Sequence, residues 1–149
     1  MGSKYRNDVA QGWYDSIGRI RGSMWFDNTS IRNAMRGRTV LSATIRLAMR
    51  SNVGRGTSVT VELSGTYSNS GASSVAVTTN YGVLGAANPG ETVTFTLPVQ
   101  AVNDLVNGTI NGLMLYSSDT GAYKERDYSK NYAVFEGSGD VPVLTIIYQ

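Results

Sequence analysis

The 149-residue sequence contains no histidine and no cysteine. Histidine is the side chain whose ordinary pKa lies closest to neutral pH, and cysteine is the most readily activated nucleophile. Their absence excludes Ser-His-Asp triads, thiolate–imidazole catalysis, Cys/His zinc sites and disulfide scaffolds. The sequence does contain nine tyrosines and two tryptophans. This repertoire favours binding over catalysis, and we predict a protein with no enzymatic activity, no cofactor and no metal site.

Charged residues and long apolar runs are also scarce. Asp, Glu, Lys and Arg make up 16% of the chain, whereas they make up roughly 25% of an average soluble domain. Ser, Thr, Asn and Gly supply the polarity instead, which is typical of extracellular β-proteins and virion proteins. No apolar run approaches the roughly 20 residues that span a bilayer, and no signal-peptide core follows Met1. We therefore expect one domain, no membrane association, and release from the host cell by lysis or within a particle.

The few charges are unevenly distributed. Residues 1–55 carry ten Lys or Arg and three Asp, whereas residues 56–118 carry no base. The basic third could bind nucleic acid, or its charges could be neutralised across a sheet or by an acidic partner subunit. Arg outnumbers Lys ten to three. Because Arg suits bidentate, partly buried pairing and a solvated nucleic-acid face usually also recruits Lys, we expect no nucleic-acid partner.

Alternation of apolar and polar residues predicts a mainly β fold. Over residues 38–50, apolar and polar side chains alternate strictly, which is typical of a strand with one buried face. The apolar side of this strand is predicted to be Leu41, Ala43, Ile45, Leu47 and Met49. The pattern repeats over residues 59–64 after a Gly-Arg-Gly turn, so we expect the second strand to pair antiparallel with the first.

Two short helices are predicted between the strands. The polar run at 28–30 supplies capping side chains for a helix over residues 31–36, which ends at Gly37. Pro98 opens a second helix, which ends at residues 107–108, Asn-Gly. With about eight antiparallel strands, these features predict an all-β fold. The expected architecture is a two-sheet antiparallel β-sandwich, jelly-roll-like, with two short capping helices.

The first group of candidate binding residues lies in the N-terminal strand. Arg19, Arg21 and Trp25 share the side opposite the apolar residues of this strand. An indole flanked by guanidinium groups can stack on a sugar ring or on an aromatic group of a partner. Alternatively, Trp25 is covered by Trp13 and Tyr14 or by the N-terminal arm and only packs.

The second group lies in residues 123–132, where three tyrosines are interleaved with charged residues. One interpretation is a binding loop in which the tyrosine rings supply contact area and Arg126 or Asp127 binds hydroxyl groups. The other is a crossover held to the sandwich by its own phenols and ion pairs. Together, the candidate ligand- or partner-binding residues are Trp13, Tyr14, Arg19, Arg21, Trp25, Tyr123, Arg126, Tyr128 and Tyr132.

Paired carboxylates give only weak evidence for catalysis. Glu125 and Asp127 share strand parity if their segment is extended, and two carboxylates are the minimum for glycoside hydrolysis. Because the chain has eleven acidic residues, such pairs arise easily by chance. A hydrolase is therefore the least favoured interpretation.

The order of the segments resembles that of a known family. The segments that carry the resemblance are GWYDSIGRIRGSMWFDN, SIRNAMRG, RTVLSATIRLAMRSNVGRG, GETVTFTLPVQAVNDLVNGTINGLMLY and YSKNYAVFEGSGDVPVLTIIY. Their order is similar to that of a β-sandwich domain recurrent in phage tail and minor structural proteins, akin to the carbohydrate-binding-module-like and DNRLRE-like sandwiches. The resemblance begins near Gly12, so we assign residues 1–11 to an N-terminal arm and residues 12–149 to a single β-sandwich domain.

The resemblance implies a location in the virion and no enzymatic activity. It implies a bacteriophage tail or minor structural protein. Such a protein either attaches to the host by binding a cell-surface polysaccharide of its envelope or binds a neighbouring virion subunit. The alternative is a capsid decoration or head-fibre protein with a purely structural role, docked on the major capsid protein through the Arg-rich N-terminal third. Homotrimers are common among such appendages, but no heptad or collagen-like stretch specifies a trimer here.

Overall fold

The structure of the chain, a computed structural model, describes residues 8–14, 18–54, 56–70, 75–119, 129–139 and 141–149. These residues form β1 (Val9–Tyr14), β2 (Gly18–Ile20), β3 (Gly22–Met24), α1 (Asn28–Met35), β4 (Val40–Ala48), β5 (Val59–Thr66), β6 (Thr79–Ala87), β7 (Thr92–Thr96), α2 (Val99–Asn107), β8 (Gly112–Tyr116), β9 (Ala133–Phe135) and β10 (Val143–Tyr148). The predicted all-β fold with two short helices is confirmed.

Hydrogen bonds divide the described strands into three antiparallel sheets. Their orders are β2-β1-β9, β10-β4-β7 and β3-β8-β5-β6. The second and third sheets contribute to one continuous hydrophobic core, which makes the sandwich. The sequence predicts two sheets. The additional sheet, β2-β1-β9, arises because β1 pairs with β2 and β9 instead of joining either of the other two.

Strand β4 shows how the alternation translates into burial. Ala43, Ile45 and Leu47 are at most 1% exposed, as the pattern predicts. The prediction for Leu41 is wrong, because Leu41 is 50% exposed and Val40 is buried in its place. The physical reason is a register shift at the end of the pairing between β10 and β4, which reverses the face that β4 presents to the core there.

The predicted pairing of the strands at 38–50 and 59–64 is wrong. Strand β4 is flanked by β10 and β7, whereas β5 is flanked by β6 and β8. The two strands lie in opposite sheets, and both apolar faces point into the same core. Alternation identifies the buried face of a strand but not its partner. Strand β5 is also buried on its polar side, at Glu62, Ser64 and Thr66.

Both helices lie close to where the sequence places them. Helix α1 begins three residues earlier than predicted, because Asp27 and not the run at 28–30 is its N-cap. The Ser30 amide donates to Asp27 Oδ1 at 3.0 Å and the Ser30 hydroxyl donates to Oδ2 at 2.8 Å. Pro98 precedes α2 as predicted. Gly37 and Gly108 follow the two helices with φ of +69° and +78°, the left-handed conformation that ends a helix.

Candidate binding surface

The candidate surface begins at the hairpin of β1 and β2. Trp13 lies directly opposite Arg19 in the antiparallel register, and Tyr14 lies opposite Gly18. Opposed residues of an antiparallel pair project from the same face, so Trp13 and Arg19 are neighbours. Both side chains are half-buried. The hairpin therefore brings together two of the residues that the sequence assigns to binding and leaves part of the indole accessible.

The segment at 129–132 packs on β1 and contacts the backbone of Trp13. Trp13 exchanges two hydrogen bonds with Ser129, from the Trp13 amide to Ser129 Oγ at 3.0 Å and from the Ser129 amide to the Trp13 carbonyl at 2.8 Å. Gly12 permits this approach, because a Cβ there would lie 2.6 Å from the Tyr132 Cα. The Tyr132 ring is 5.8 Å from that of Tyr14, at 47° between planes. Tyr132 is only 6% exposed, so it supports Tyr14 from beneath.

Arg19 ties the chain beyond β8 to the hairpin. Its guanidinium donates to the carbonyls of Ser117 and Asp119, each at 2.8 Å. The Asp119 carboxylate in turn accepts hydrogen bonds from the Asn131 amide at 2.7 Å and from Asn131 Nδ2 at 2.9 Å. The planar fork of an arginine suits two acceptors of this kind. Arg19 thereby holds residues 117–119 in place beside Trp13.

A polar network of one buried and three half-buried residues lies under the hairpin and joins it to the sandwich. Gln11 is fully buried, and its Nε2 donates to the carbonyls of Thr60 at 2.8 Å and Asn131 at 3.0 Å. The Asn131 side-chain oxygen accepts the Thr60 amide at 2.9 Å. We call Gln11, Thr60, Asp119 and Asn131 the polar seam. It fixes β1 and the segment at 129–132 against β5.

A second polar pair lies at the end of β8. Glu62 and Tyr116 are opposed in the register of β5 and β8, and the Glu62 carboxylate accepts the Ser118 amide at 2.6 Å. Burial raises the pKa of the Tyr116 phenol, and the negative charge of Glu62 raises it further, against the opposing charges of Arg19 and Arg21. A phenol is already protonated at neutral pH at its ordinary pKa of 10.0, so Tyr116 can donate a hydrogen bond.

The structure separates Trp25 from this surface. Arg19 and Trp25 belong to different sheets, because the chain leaves the sheet of β2 at Arg21 and enters that of β3. Trp25 is half-buried beside the other end of β8, where a Cβ on Gly112 would lie 2.9 Å from its Nε1. The indole N–H donates to the Ser68 carbonyl at 3.3 Å. Trp25 thus packs against the start of β8.

The residues that the structure brings together define one surface. We call Trp13, Arg19, Arg21 and Tyr116 the hairpin surface, of which Arg21 is the most exposed member. Tyr14 projects from the opposite face of β1 and packs on Tyr132. Sequence reasoning missed Tyr116, since nothing in its apolar strand indicates that β8 ends beside the hairpin. Three further candidates, Tyr123, Arg126 and Tyr128, lie outside the described residues.

Neither a scan against models of protein families nor a search of curated proteins found a match to this chain. Within the described ranges, no group of three or more acidic side chains is placed to hold a metal ion. In the same part of the chain, no helix has the length and apolar character needed to cross a membrane. The hairpin surface and the sequence resemblance are the grounds for a functional proposal.

Proposed function

We propose that the protein is a non-enzymatic surface protein of a bacteriophage virion that binds a host-envelope glycan through the hairpin surface. The observation that carries this proposal is the partly accessible indole of Trp13, held opposite Arg19 on a hairpin. Indole and phenol rings offer flat apolar faces with a polar edge, which suits the mixed apolar and hydroxyl character of a sugar ring.

Rigidity of the hairpin surface supports this role. The backbone of Trp13 is fixed by Ser129, and Tyr14 rests on the ring of Tyr132. The polar seam beneath joins the hairpin to β5. A surface that is ordered before binding loses less conformational entropy when a ligand arrives. The same aromatic contacts should therefore give a higher affinity for the ligand here than they would on a mobile loop.

Polar groups around the rings give the surface its chemical preference. Arg21 is exposed, whereas the guanidinium of Arg19 donates to two backbone carbonyls. We assign Arg21 to the ligand and Arg19 to positioning. The protonated Tyr116 phenol supplies a donor for a sugar hydroxyl. A cation beside aromatic faces favours glycans that carry anionic substituents.

Calorimetric titration with polysaccharides from host envelopes tests this proposal. Trp13→Ala is expected to weaken binding by at least about tenfold, since it removes the main stacking face. Trp25→Phe is the matched control, because Trp25 packs elsewhere, and it is expected to bind like the native chain. In that variant Trp13 is the only tryptophan, so its fluorescence reports the site directly.

Three outcomes would contradict the proposal. Unchanged affinity in Trp13→Ala would exclude the hairpin surface. Cleavage of the glycan would overturn the non-enzymatic assignment. Tight binding to empty capsids without binding to any envelope glycan would instead support the alternative, a decoration protein docked on the major capsid protein.

A further inference from the structure

Strand β10 is an outer strand with little of the usual protection. Among the described strands only β4 pairs with it, so its other side has no partner strand. Residues 143–149, VLTIIYQ, carry no charge. Ile147 is 56% exposed and its neighbour Leu41 is 50% exposed. Natural edge strands usually carry lysines, prolines or bulges, or are very short, because an open edge invites another strand.

Strand β6, an outer strand of the opposite sheet, has an irregular edge instead. Strand β6 is also long, but its pairing with β5 shifts register twice. Gly82 and Gly85 lie within it with φ of +92° and +156°. These irregularities interrupt a regular edge. In β10, by comparison, the register with β4 is regular from Val143 to Ile147 and shifts only at the last residue pair.

Helix α1 lies beside β10 and runs in the same direction. Phe26, before the helix, lines a hollow with Pro142 at the start of β10. Arg38, after the helix, has its guanidinium carbon 5.0 Å from the ring centre of Tyr148 at the end of β10. Between helix and strand is an apolar groove of about 390 Å³, with Met35 and Ile146 among its lining residues.

The charged residues that flank α1 along this groove have opposite signs at its two ends. Asp27 is exposed at the start of α1. Arg36 and Arg38 are exposed beyond its end. If two such edges meet antiparallel, the acidic end of each lies beside the basic end of the other. The edge is therefore complementary in charge to a second copy of itself.

We propose that β10 pairs antiparallel with β10 of a second copy of this chain about a twofold axis. The result is a symmetric dimer whose joined sheet has the order β7-β4-β10-β10-β4-β7. A twofold interface requires a surface that complements itself. The open backbone of β10, the apolar groove and the reversed charges of Asp27 and Arg38 meet that requirement.

Sedimentation velocity over protein concentrations from about 1 to about 300 μM tests the dimer, since short interfaces of this kind associate weakly. The native chain is expected to shift from monomer to dimer across this range. Ile147→Lys is expected to weaken association at least tenfold, because a lysine on an edge strand opposes pairing. Circular dichroism would show that the variant remains folded. A native chain that stays monomeric at every concentration would overturn the proposal.

Val83→Lys is the matched control. It places the same charge on the outer strand β6, at a side chain that is 62% exposed. It is expected to dimerise like the native chain. Loss of the dimer in Val83→Lys with retention in Ile147→Lys would overturn the assignment to β10.

A charge variant tests the antiparallel arrangement itself. Asp27→Asn keeps an oxygen to cap α1 but removes the charge that faces Arg36 and Arg38 of the second copy. We expect association severalfold weaker and less sensitive to salt than in the native chain. A dimer with unchanged strength and salt dependence in this variant would contradict the proposed orientation.

Discussion

The apolar interior between the two larger sheets and the polar seam beneath the hairpin are held together by opposite means. In the interior, Ile45 and Leu47 are fully excluded from water. In the seam, Gln11 is equally buried, yet hydrogen bonds hold it to Thr60 and Asn131. Apolar burial is non-directional and roughly proportional to area, whereas a hydrogen bond needs a partner at a defined distance and angle. The stability of the interior therefore depends on how well its volume is filled. The stability of the seam depends on the presence of each of its hydrogen-bonding side chains.

Truncating a core side chain tests the role of apolar burial and should have the largest effect on the free energy of unfolding. Leu47→Ala is expected to lower the free energy of unfolding by about 3–4 kcal/mol, because it removes buried methyl groups and leaves a cavity. Leu47 is fully buried in the core. Urea unfolding followed by circular dichroism measures the change.

Leu41→Ala is the control within the same strand. Leu41 is 50% exposed despite its place in the alternation, so its truncation should change the free energy of unfolding by no more than about 0.5 kcal/mol. Equal losses in the two variants would show that Leu41 belongs to the core and that the exposed placement is wrong.

The interior could largely be predicted from the sequence, because its signal is local. Period-two alternation predicts the burial of Ala43, Ile45 and Leu47 in β4, and a glycine after a helical pattern predicts the ends at Gly37 and Gly108. The strand partners could not be predicted in this way. Two strands that follow one another in the chain bury the same residue types whether they pair in one sheet or face each other across the core.

The seam could not be predicted, because its contacts are distant in the chain. Gln11 bonds Thr60 across 49 positions and Asn131 across 120. A single polar residue in a sequence is far more often a solvated one, so nothing marks Gln11 as buried. The hairpin surface could be predicted in part. Trp13 and Arg19 are identifiable as aromatic and basic residues, whereas Tyr116 joins them only through the pairing of β3 with β8, which places Gly22 opposite Leu115.

Removing one member of the seam tests the other half of the comparison. Asn131→Ala deletes the side-chain amide that donates to the Asp119 carboxylate and accepts the Thr60 amide. Leaving the half-buried Thr60 amide and one Asp119 oxygen without these partners should lower the free energy of unfolding by about 2 kcal/mol, although little apolar area is lost. Urea unfolding measures the loss, and faster hydrogen exchange at the Thr60 amide would locate it.

Asn52→Ala is the control for that variant, since Asn52 is exposed in the turn after β4. It should change the free energy of unfolding by no more than about 0.5 kcal/mol. If Asn131→Ala were as mild as Asn52→Ala, the seam would not be a hydrogen-bonded unit. The contrast with the apolar interior would then disappear.

A smaller effect is expected at the ion pair that joins β1 to the end of β4, and it should depend on pH. Arg50 donates to Asp8 at 2.6 Å and 3.1 Å, and the Gly137 amide donates to the same carboxylate at 3.1 Å. The Asp8 side chain is only 4% exposed. Burial alone would raise the pKa of Asp8, but these hydrogen bonds and the charge of Arg50 outweigh it and lower the pKa below its ordinary value of 3.8.

Asp8→Asn should therefore lower the free energy of unfolding by about 1–2 kcal/mol at pH 7, because a charge-assisted bond is replaced by a neutral one. Since the folded pKa of Asp8 lies below the unfolded one, its stabilisation is complete above about pH 4 and is lost as the pH falls through the folded value. The difference in unfolding free energy between the native chain and Asp8→Asn should thus be constant from pH 7 to about pH 5 and shrink below about pH 4. Urea unfolding across that range measures it, and a difference that grows towards acid pH would mean that burial, not Arg50, controls this carboxylate.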